Sequence, residues 1–288
     1  YRAGEHEYRY VLSVHADEIV SEGLWRRKLG ASRTAMLFER EGTEVSLGPT
    51  LRKLVTAAKF NPSLPYLSFL CINFDAPVVQ EAASWFLDAV FLNYNSSYLE
   101  QMLDEGDSRE VTRFLRAVDV RIDGFRVERA PEWRGKRVFV RHEVGGKAYE
   151  LRLSEESAGT QKLMGLAAYL MIALERGGTV VVDELDAKLH PKLLRYVILL
   201  FKDPEVNKSG AQLIFSSQDV STMRNDVFRR DEIWFAARGE GEASQLWSLA
   251  DIHEANGNLV SKNAAFDKQY LSGRYGADPY LTRIEEWD

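Results

Sequence analysis

The sequence predicts a mixed α/β fold with an antiparallel β part at its start, and three observations lead there. Thr179-Val180-Val181-Val182 is an apolar run without inward and outward alternation, as in a strand covered on both faces of a largely parallel sheet. Before it, Leu163, Leu166, Ala167, Leu170, Met171 and Leu174 recur at helical spacing until Gly177-Gly178 stop the helix; after it, a turn and a helix lead to a second apolar strand in Ala211 to Asp219, AQLIFSSQD. Earlier in the chain, Tyr8 to Val14, Ile19 to Trp25, Ala35 to Arg40 and Glu44 to Leu47 are short strand-like stretches divided by Gly23, Gly30 and Gly42, which suggests an antiparallel meander.

Length and composition agree with a folded core. The 288 residues are 45% hydrophobic and 28% charged, enough to bury one large domain or two. No apolar run reaches membrane-spanning length and no signal peptide is visible, so a cytoplasmic home is the default expectation. The single cysteine, Cys71, excludes a disulfide framework and sits in an apolar stretch, where a buried structural thiol is expected. A formal net charge of −6 argues against wholesale coating of DNA.

Taken in order, the first part is the β region, residues 1–48. It begins on Tyr1 rather than Met, close to a strand, as though inside a domain. Glu5-His6-Glu7 reads as a polar turn before a strand rather than a metal site, and Arg26-Arg27-Lys28 as a solvated edge. From Pro49 the pattern becomes helical. Leu51, Leu54, Val55 and Ala58 share one face, Pro62 and Pro65 break the run, and Trp85, Phe86, Ala89 and Val90 mark a second helix. Val111, Phe114, Leu115 and Val118 mark a third, after a solvated turn in which Asp104, Glu105 and Asp107 surround Gly106. This segment, 49–118, of about 70 residues, is large for a connection and is expected to form an interaction lobe. Residues 119–288 form the third part. There Val120 to Arg129, Arg137 to His142 and Tyr149 to Leu153 read as strands, Pro131 to Lys136 as a loop and Gly145-Gly146 as a hairpin turn. His142 shows no partner in the sequence.

The chemistry concentrates in this third part. Asp183-Glu184 end the apolar strand, and two carboxylates there are costly unless they serve a site. Beyond the carboxyl ends of such strands an Asp can hold Mg²⁺ and a Glu can polarise a water, the arrangement of a Walker B motif. An ordinary buried strand meeting an acidic turn remains an alternative on this stretch alone. Upstream, Ser154 to Lys162 reads SEESAGTQK, and a Ser and a Gly at the mouth of a buried helix can present a hydroxyl and backbone N–H groups to phosphate. Downstream lies the polar cluster Ser216-Ser217-Gln218-Asp219. The order of these pieces carries more specificity than any one of them.

On these motifs the chain resembles the ABC-type ATPases of the SMC, RecF and OLD group. Within that group it is most similar to the stand-alone AAA-domain ATP-binding proteins of bacterial anti-phage defence and restriction-linked loci. Ser157-Ala158-Gly159-Thr160-Gln161 matches the group's signature motif, Asp183-Glu184 its Walker B and catalytic Glu, and Leu189-His190-Pro191 the D-loop region in its OLD-like form. Ser216 to Asp219 falls on the switch-histidine loop, with Gln218 in place of the usual His. Phe228 to Phe235 and Tyr270 to Leu281 resemble the tail of the defence-associated branch. The resemblance is firm from Leu153 onward and looser over Tyr8 to Gly48.

The resemblance implies an ABC-type nucleotide-binding domain with an antiparallel β subdomain and a helical insertion, using ATP and Mg²⁺ in head-to-tail pairs or higher homo-oligomers. Ser157, Gly159 and Thr160 would cap the nucleotide of a second subunit, and Asp183 would hold Mg²⁺ through water. Glu184 would act as base or orient the water, and Asp186 and His190 would line the dimer seam. Gln218 would contact the γ-phosphate without relaying a proton, so slow turnover is expected. It further implies an immune sensor or scaffold that controls a separate effector, a nuclease or other toxin, with DNA or a phage protein as trigger. The alternatives are a RecF- or SMC-like repair ATPase and a nucleotide-locked scaffold with negligible turnover. No G-x-x-x-x-G-K-[ST] loop occurs: Gly135-Lys136 is followed by Arg137 and Gly146-Lys147 by Ala148. The family carries that loop ahead of the segment matching Tyr8 to Gly48, so it is expected in a portion preceding Tyr1.

Overall fold

The computed structural model describes residues 1–56, 58–92, 103, 108–118, 120–129, 136–238, 243–254 and 256–277. The acidic turn at Asp104, Glu105 and Asp107, the loop from Pro131 to Gly135 and the tail from Asp278 onward lie outside them. The chain divides into two compact units, Tyr1–Phe91 with Gly178–Val180, and Leu92–Gly177 with Val181–Asp288. The division therefore falls inside the 49–118 segment, between Phe91 and Leu92.

The first unit opens with the expected meander. Strands β1 (Arg2–Ala3), β2 (His6–His15), β3 (Glu18–Lys28), β4 (Ala35–Glu41) and β5 (Glu44–Leu47) form a five-stranded sheet in sequence order. Neighbouring strands are antiparallel, with bulges at Ser13/Val14 and Leu24/Trp25. Gly42 makes the β4–β5 turn at φ 55, whereas Gly23 lies inside β3, where the Trp25 ring covers it closely enough to exclude a Cβ. All three residues of the Glu5-His6-Glu7 stretch are paired: Lys28 faces Glu5 at 3.5 Å, Glu81 holds His6 Nδ1 at 3.0 Å, and Arg27 holds Glu7 at 2.5 Å.

Helix α1 (Tyr66–Asn73) and helix α2 (Pro77–Asp88) pack on this sheet in one core with Tyr8, Leu24, Leu37 and Phe38. The face containing Leu51, Leu54, Val55 and Ala58 does not become a helix. Only a 3-10 turn forms at Leu51–Lys53, Leu54 is exposed, and residues 55–56 and 58–65 form neither helix nor strand. A nucleus this short, closed off by Pro62 and Pro65, is not extended. Glu22 and Arg40 organise the irregular stretch instead. Arg40 donates to the carbonyls of Gly42 (2.7 Å), Leu64 (2.8 Å) and Pro62, and Glu22 accepts from the amides of Tyr66 (2.5 Å) and Leu67 (2.9 Å). A carboxylate on the first turn of α1 meets N–H groups that no helical carbonyl can satisfy. The second helix also differs from the expected face. Pro77 starts it early, it buries Val78, Val79, Ala82 and Ala83, and Ala89 ends it in an extended conformation. Cys71 on α1 is half-buried, its thiol 3.2 Å from Gln80 Oε1, rather than fully enclosed.

Strand β6 (Val90–Leu92) leads toward helix α3 (Ser108–Ala117), whose Val111, Phe114 and Leu115 are buried, as is the following Val118. Strands β7 (Gly124–Arg129), β8 (Lys136–Val144) and β9 (Lys147–Arg152) form an antiparallel sheet, and Gly145-Gly146 turn between β8 and β9 with φ 60 and 75. Helix α4 (Ala158–Arg176) packs on α3 and is buried over most of its circumference. It ends at Gly177, φ 84, as its sequence requires. Strand β10 (Thr179–Val182) is covered at Thr179, Val180 and Val182 and stands between β6 and β11 (Gln212–Phe215). Helix α5 (Pro191–Lys202) joins β10 to β11. The second apolar strand is less enclosed than expected: its residues alternate between exposed and half-buried, and Ile214 is 50% exposed. Strands β12 (Trp234–Arg238) and β13 (Ser244–Ser248) form a hairpin that shares a small core with helix α6 (Phe266–Leu271) and Tyr275.

Candidate functional site

Every described contact of the site lies within the second unit. Asp183 and Glu184 follow the last buried residue of β10, and both are exposed. A single hydroxyl joins them: Ser216 Oγ donates to Asp183 Oδ1 at 2.5 Å and accepts the Glu184 amide at 2.7 Å. Backbone bonds from Ser216 N to the Val182 carbonyl (3.1 Å) and from Leu185 N to the Ser216 carbonyl (3.0 Å) hold the switch stretch against the end of β10. Glu184 has φ 49 and Lys188 φ 63, left-handed values for residues with side chains. Such conformations persist where surrounding bonds over-determine them, at about 1–3 kcal/mol each.

The signature stretch begins α4. Ser157 is the N-cap: its Oγ accepts the Thr160 amide at 3.1 Å and lies 2.9 Å from Thr160 Oγ1. In this arrangement the two hydroxyls and one amide of the motif satisfy each other. Gly159 has a steric reason to be glycine, because a Cβ there would meet the Lys188 carbonyl at 2.9 Å. The signature turn and the turn after Glu184 are therefore in close backbone approach within one chain. Gln161 donates to the Glu156 carbonyl at 2.7 Å, and Glu156 holds His142 Nε2 at 2.6 Å. His142 thus has the partner that its sequence did not reveal, and its Nδ1 lies 3.1 Å from the Arg121 carbonyl.

Asp186 and Gln218 are brought together through the Gln218 amide N–H, which donates to Asp186 Oδ2 at 3.3 Å, while the Gln218 side chain is exposed. Asp186 Oδ1 is buried with no hydrogen-bond partner among the described residues, a costly state for a carboxylate oxygen. His190 is the N-cap of α5, its Nδ1 accepting the Lys192 amide at 3.1 Å, with Pro191 supplying the first helical position. Asp219 closes the stretch as the cap of a 3-10 turn, accepting from Ser221 N at 2.7 Å.

Two participants had no role assigned from sequence. Ser216 lay in a recognised stretch, but nothing in the chain's order announced that its hydroxyl would bridge both acidic positions. Lys162 left a signal: it precedes Leu166, Leu170 and Leu174 at four-residue spacing, so it stands on the apolar stripe of α4. It is 1% exposed, and its Nζ donates to the carbonyls of Glu184 (2.5 Å) and Ala187 (2.9 Å). Burial lowers its pKa to about 8 and Lys188 pushes the same way, against the carboxylates of Asp186 and Glu184.

The donor set suits a hard, oxygen-liganded cation. Asp183 is exposed at the strand end and is oriented by Ser216, but among the described residues no three acidic, histidine or cysteine side chains converge as a metal cluster, so Asp183 would be the single protein carboxylate offered to such a cation. One carboxylate with several waters is a common way to hold Mg²⁺ next to phosphate oxygens. Glu184 is held on its turn by its backbone, through the Ser216 hydroxyl and Lys162, while its exposed carboxylate takes part in neither bond.

A family model described as "AAA domain, putative AbiEii toxin, Type IV TA system" matches residues 58–224. No functionally curated protein matches the chain. Similar solved structures include an Smc head domain with an extended coiled coil, bound to the C-terminal domain of ScpA, from Pyrococcus furiosus. That match has 20% identity, covers 49% of this chain and 34% of the other, and has a TM-score of 0.35. An SMC head domain from Thermotoga maritima has 14% identity, coverage of 81% and 74%, and a TM-score of 0.38. An SmcHead bound to the C-winged helix domain of ScpA has 14% identity, coverage of 85% and 74%, and a TM-score of 0.42. The chain thus spans about a third of the first of these proteins and about three quarters of the other two. The family match takes in more than half of the chain, including the signature helix, the acidic turn and the switch stretch, and on it the chain belongs to this family of AAA domains.

Proposed function

We propose that this AAA domain is an ATP-binding and ATP-hydrolysing ABC-type ATPase that works as a head-to-tail pair or higher homo-oligomer. The observation that carries the reading is the Ser216 hydroxyl, which ties the Asp183 carboxylate to the Glu184 amide at the end of β10. That bridge leaves the Glu184 carboxylate to orient or deprotonate a water, the task of a general base. Bound ATP with Mg²⁺ would supply the electrophilic phosphorus and the charge neutralisation. Asp183 would hold Mg²⁺, and Ser157, Gly159 and Thr160 would cap the nucleotide of the second subunit. Asp186 and His190 line the seam, and Gln218 faces the γ-phosphate.

In the same reading the protein is a cytoplasmic sensor or scaffold of bacterial anti-phage defence. It controls a separate effector such as a nuclease and is triggered by DNA or a phage protein. The family description names a putative toxin of a type IV toxin–antitoxin system, a setting in which one protein's activity is held in check by another. Among the described residues no helix is long and apolar enough to cross a membrane. A nucleotide-locked scaffold with negligible turnover is the second reading, favoured by Gln218, whose amide cannot relay a proton.

The test uses the full-length protein. Glu184→Gln keeps the shape and removes the base, and is expected to retain ATP while turnover falls about 10²- to 10⁴-fold. Asp183→Ala is expected to lose Mg²⁺-dependent binding. Turnover at the wild-type rate in Glu184→Gln rejects the hydrolytic reading. Pairing without turnover in the wild type favours the scaffold.

A further inference from the structure

The side chain that joins the capping helix to the acidic turn is Lys162. It leaves the second turn of α4 on the buried stripe, is 1% exposed, and places its ammonium on two carbonyls of one turn, those of Glu184 and Ala187. The Glu184 carbonyl also accepts the Ala187 amide at 3.0 Å, and Leu189 N bonds the Asp186 carbonyl at 2.9 Å, so the turn is closed internally and clamped from outside. Both of its left-handed residues, Glu184 and Lys188, flank the clamped carbonyls. A methionine or leucine would fill such a position without the cost of desolvating a charge, and a buried ion is a poor stability device. Its presence has a better account in geometry. With φ 49 at Glu184, a small change in the backbone of this turn would re-aim the carboxylate that the proposed reading sets on the attacking water.

We propose that Lys162 is a positioning residue that couples the two nucleotide sites of a pair: it transmits the seating of the signature helix on one subunit's nucleotide to the Glu184 carboxylate that serves the other site. The inference rests on the proposed ATPase reading. In a head-to-tail pair each chain caps its partner's nucleotide through Ser157, Gly159 and Thr160, while its own Glu184 acts at its own site. Gly159 touches the turn through the Lys188 carbonyl, and Lys162, three residues on, holds the same turn through two further carbonyls. Movement of the N-terminal turns of α4 therefore cannot leave Glu184 in place.

The test compares full-length wild type with Lys162→Met and Lys162→Arg in two measurements. Hydrogen exchange at residues 185–189 without nucleotide reads the clamp, whatever the protein's activity; ATP turnover over a range of ATP concentrations reads its purpose. Lys162→Met is expected to fold, to exchange at least 10-fold faster in that segment, and to bind ATP with unchanged affinity. Its kcat should fall about 10²-fold, the effect of misplacing a catalytic group by about 1 Å, and any sigmoidal dependence on ATP should vanish. Lys162→Arg keeps the charge and should recover part of the kcat. Unchanged exchange in Lys162→Met overturns the clamp, and faster exchange with wild-type kcat overturns the positioning role. Should Lys162→Met fail to fold, Lys162→Arg decides: its displaced donors should lower kcat, and a wild-type kcat there overturns the proposal. A wild type that binds ATP but never hydrolyses it defeats the ATPase reading and this role together, a result distinct from a change seen only in the variants.

Discussion

Glu22 gathers four hydrogen bonds on one buried carboxylate. The Tyr10 hydroxyl (3.0 Å) and the Leu67 amide (2.9 Å) fall on one oxygen, and the Tyr66 amide (2.5 Å) and Arg40 (3.4 Å) on the other. Neither side chain of the Glu22–Arg40 pair is exposed to solvent. Removing one partner of such a pair leaves an uncompensated charge, which costs about 3–5 kcal/mol. Glu22→Ala is therefore expected to lower the urea midpoint of the full-length protein by that equivalent at unchanged slope. Glu22→Met with Arg40→Met should recover only part of the loss, because the Tyr66 and Leu67 amides still lack their acceptor. Full recovery would show that Glu22 serves Arg40 alone and does not cap α1.

At the scale of the element, α4 was legible from end to end because each of its signals is local. Ser157 caps it, Leu163 to Leu174 repeat with its period, and Gly177 ends it. The helix at Val111 to Val118 and the meander strands were legible for the same reason. Helix α1 and the true face of α2 were not, because their boundaries depend on partners distant in sequence: Glu22 supplies the cap of α1, and Tyr1 stacks on Trp85 at 5.2 Å, taking that ring out of the expected face. Within the site, the residue types at Asp183, Glu184 and Gln218 were readable, whereas the Ser216 bridge and the Lys162 clamp exist only once β10, β11 and α4 are assembled. The C-terminal end of α4 permits a direct test. Gly177 has φ 84, and a Cβ there would stand 2.3 Å from the Ser209 carbonyl, while Ser209 Oγ donates to the Glu175 carbonyl at 2.7 Å. Gly177→Ala is expected to cost about 1–3 kcal/mol for the left-handed conformation, plus the displacement of Ser209. Thermal unfolding would register it, and an unchanged Tm would mean that the helix can end without its left-handed residue.

At the scale of the whole molecule, the question is whether one chain can close its own site. Gly159 lies against the Lys188 carbonyl and Lys162 grips Glu184 and Ala187, so the capping motif and the acidic turn of one chain form a single block. In the proposed ATPase reading, a block in which both are fixed to each other would not fold its own signature over its own nucleotide, and a second copy placed head to tail would supply the missing cap. Ser157 is exposed at the mouth of α4, where an added side chain would stand between two subunits. Ser157→Arg is accordingly expected to abolish ATP-dependent pairing while each subunit still binds ATP. The Glu184→Gln background is the place to measure it, since trapped ATP makes the pair long-lived and its mass readable in solution. Loss of the N-cap alone costs about 1 kcal/mol, so Ser157→Ala separates that effect: it should melt slightly lower and yet pair, more weakly, with ATP. Pairing of Ser157→Arg at wild-type strength would mean that the subunits associate through another surface and that the nucleotide is not shared between them.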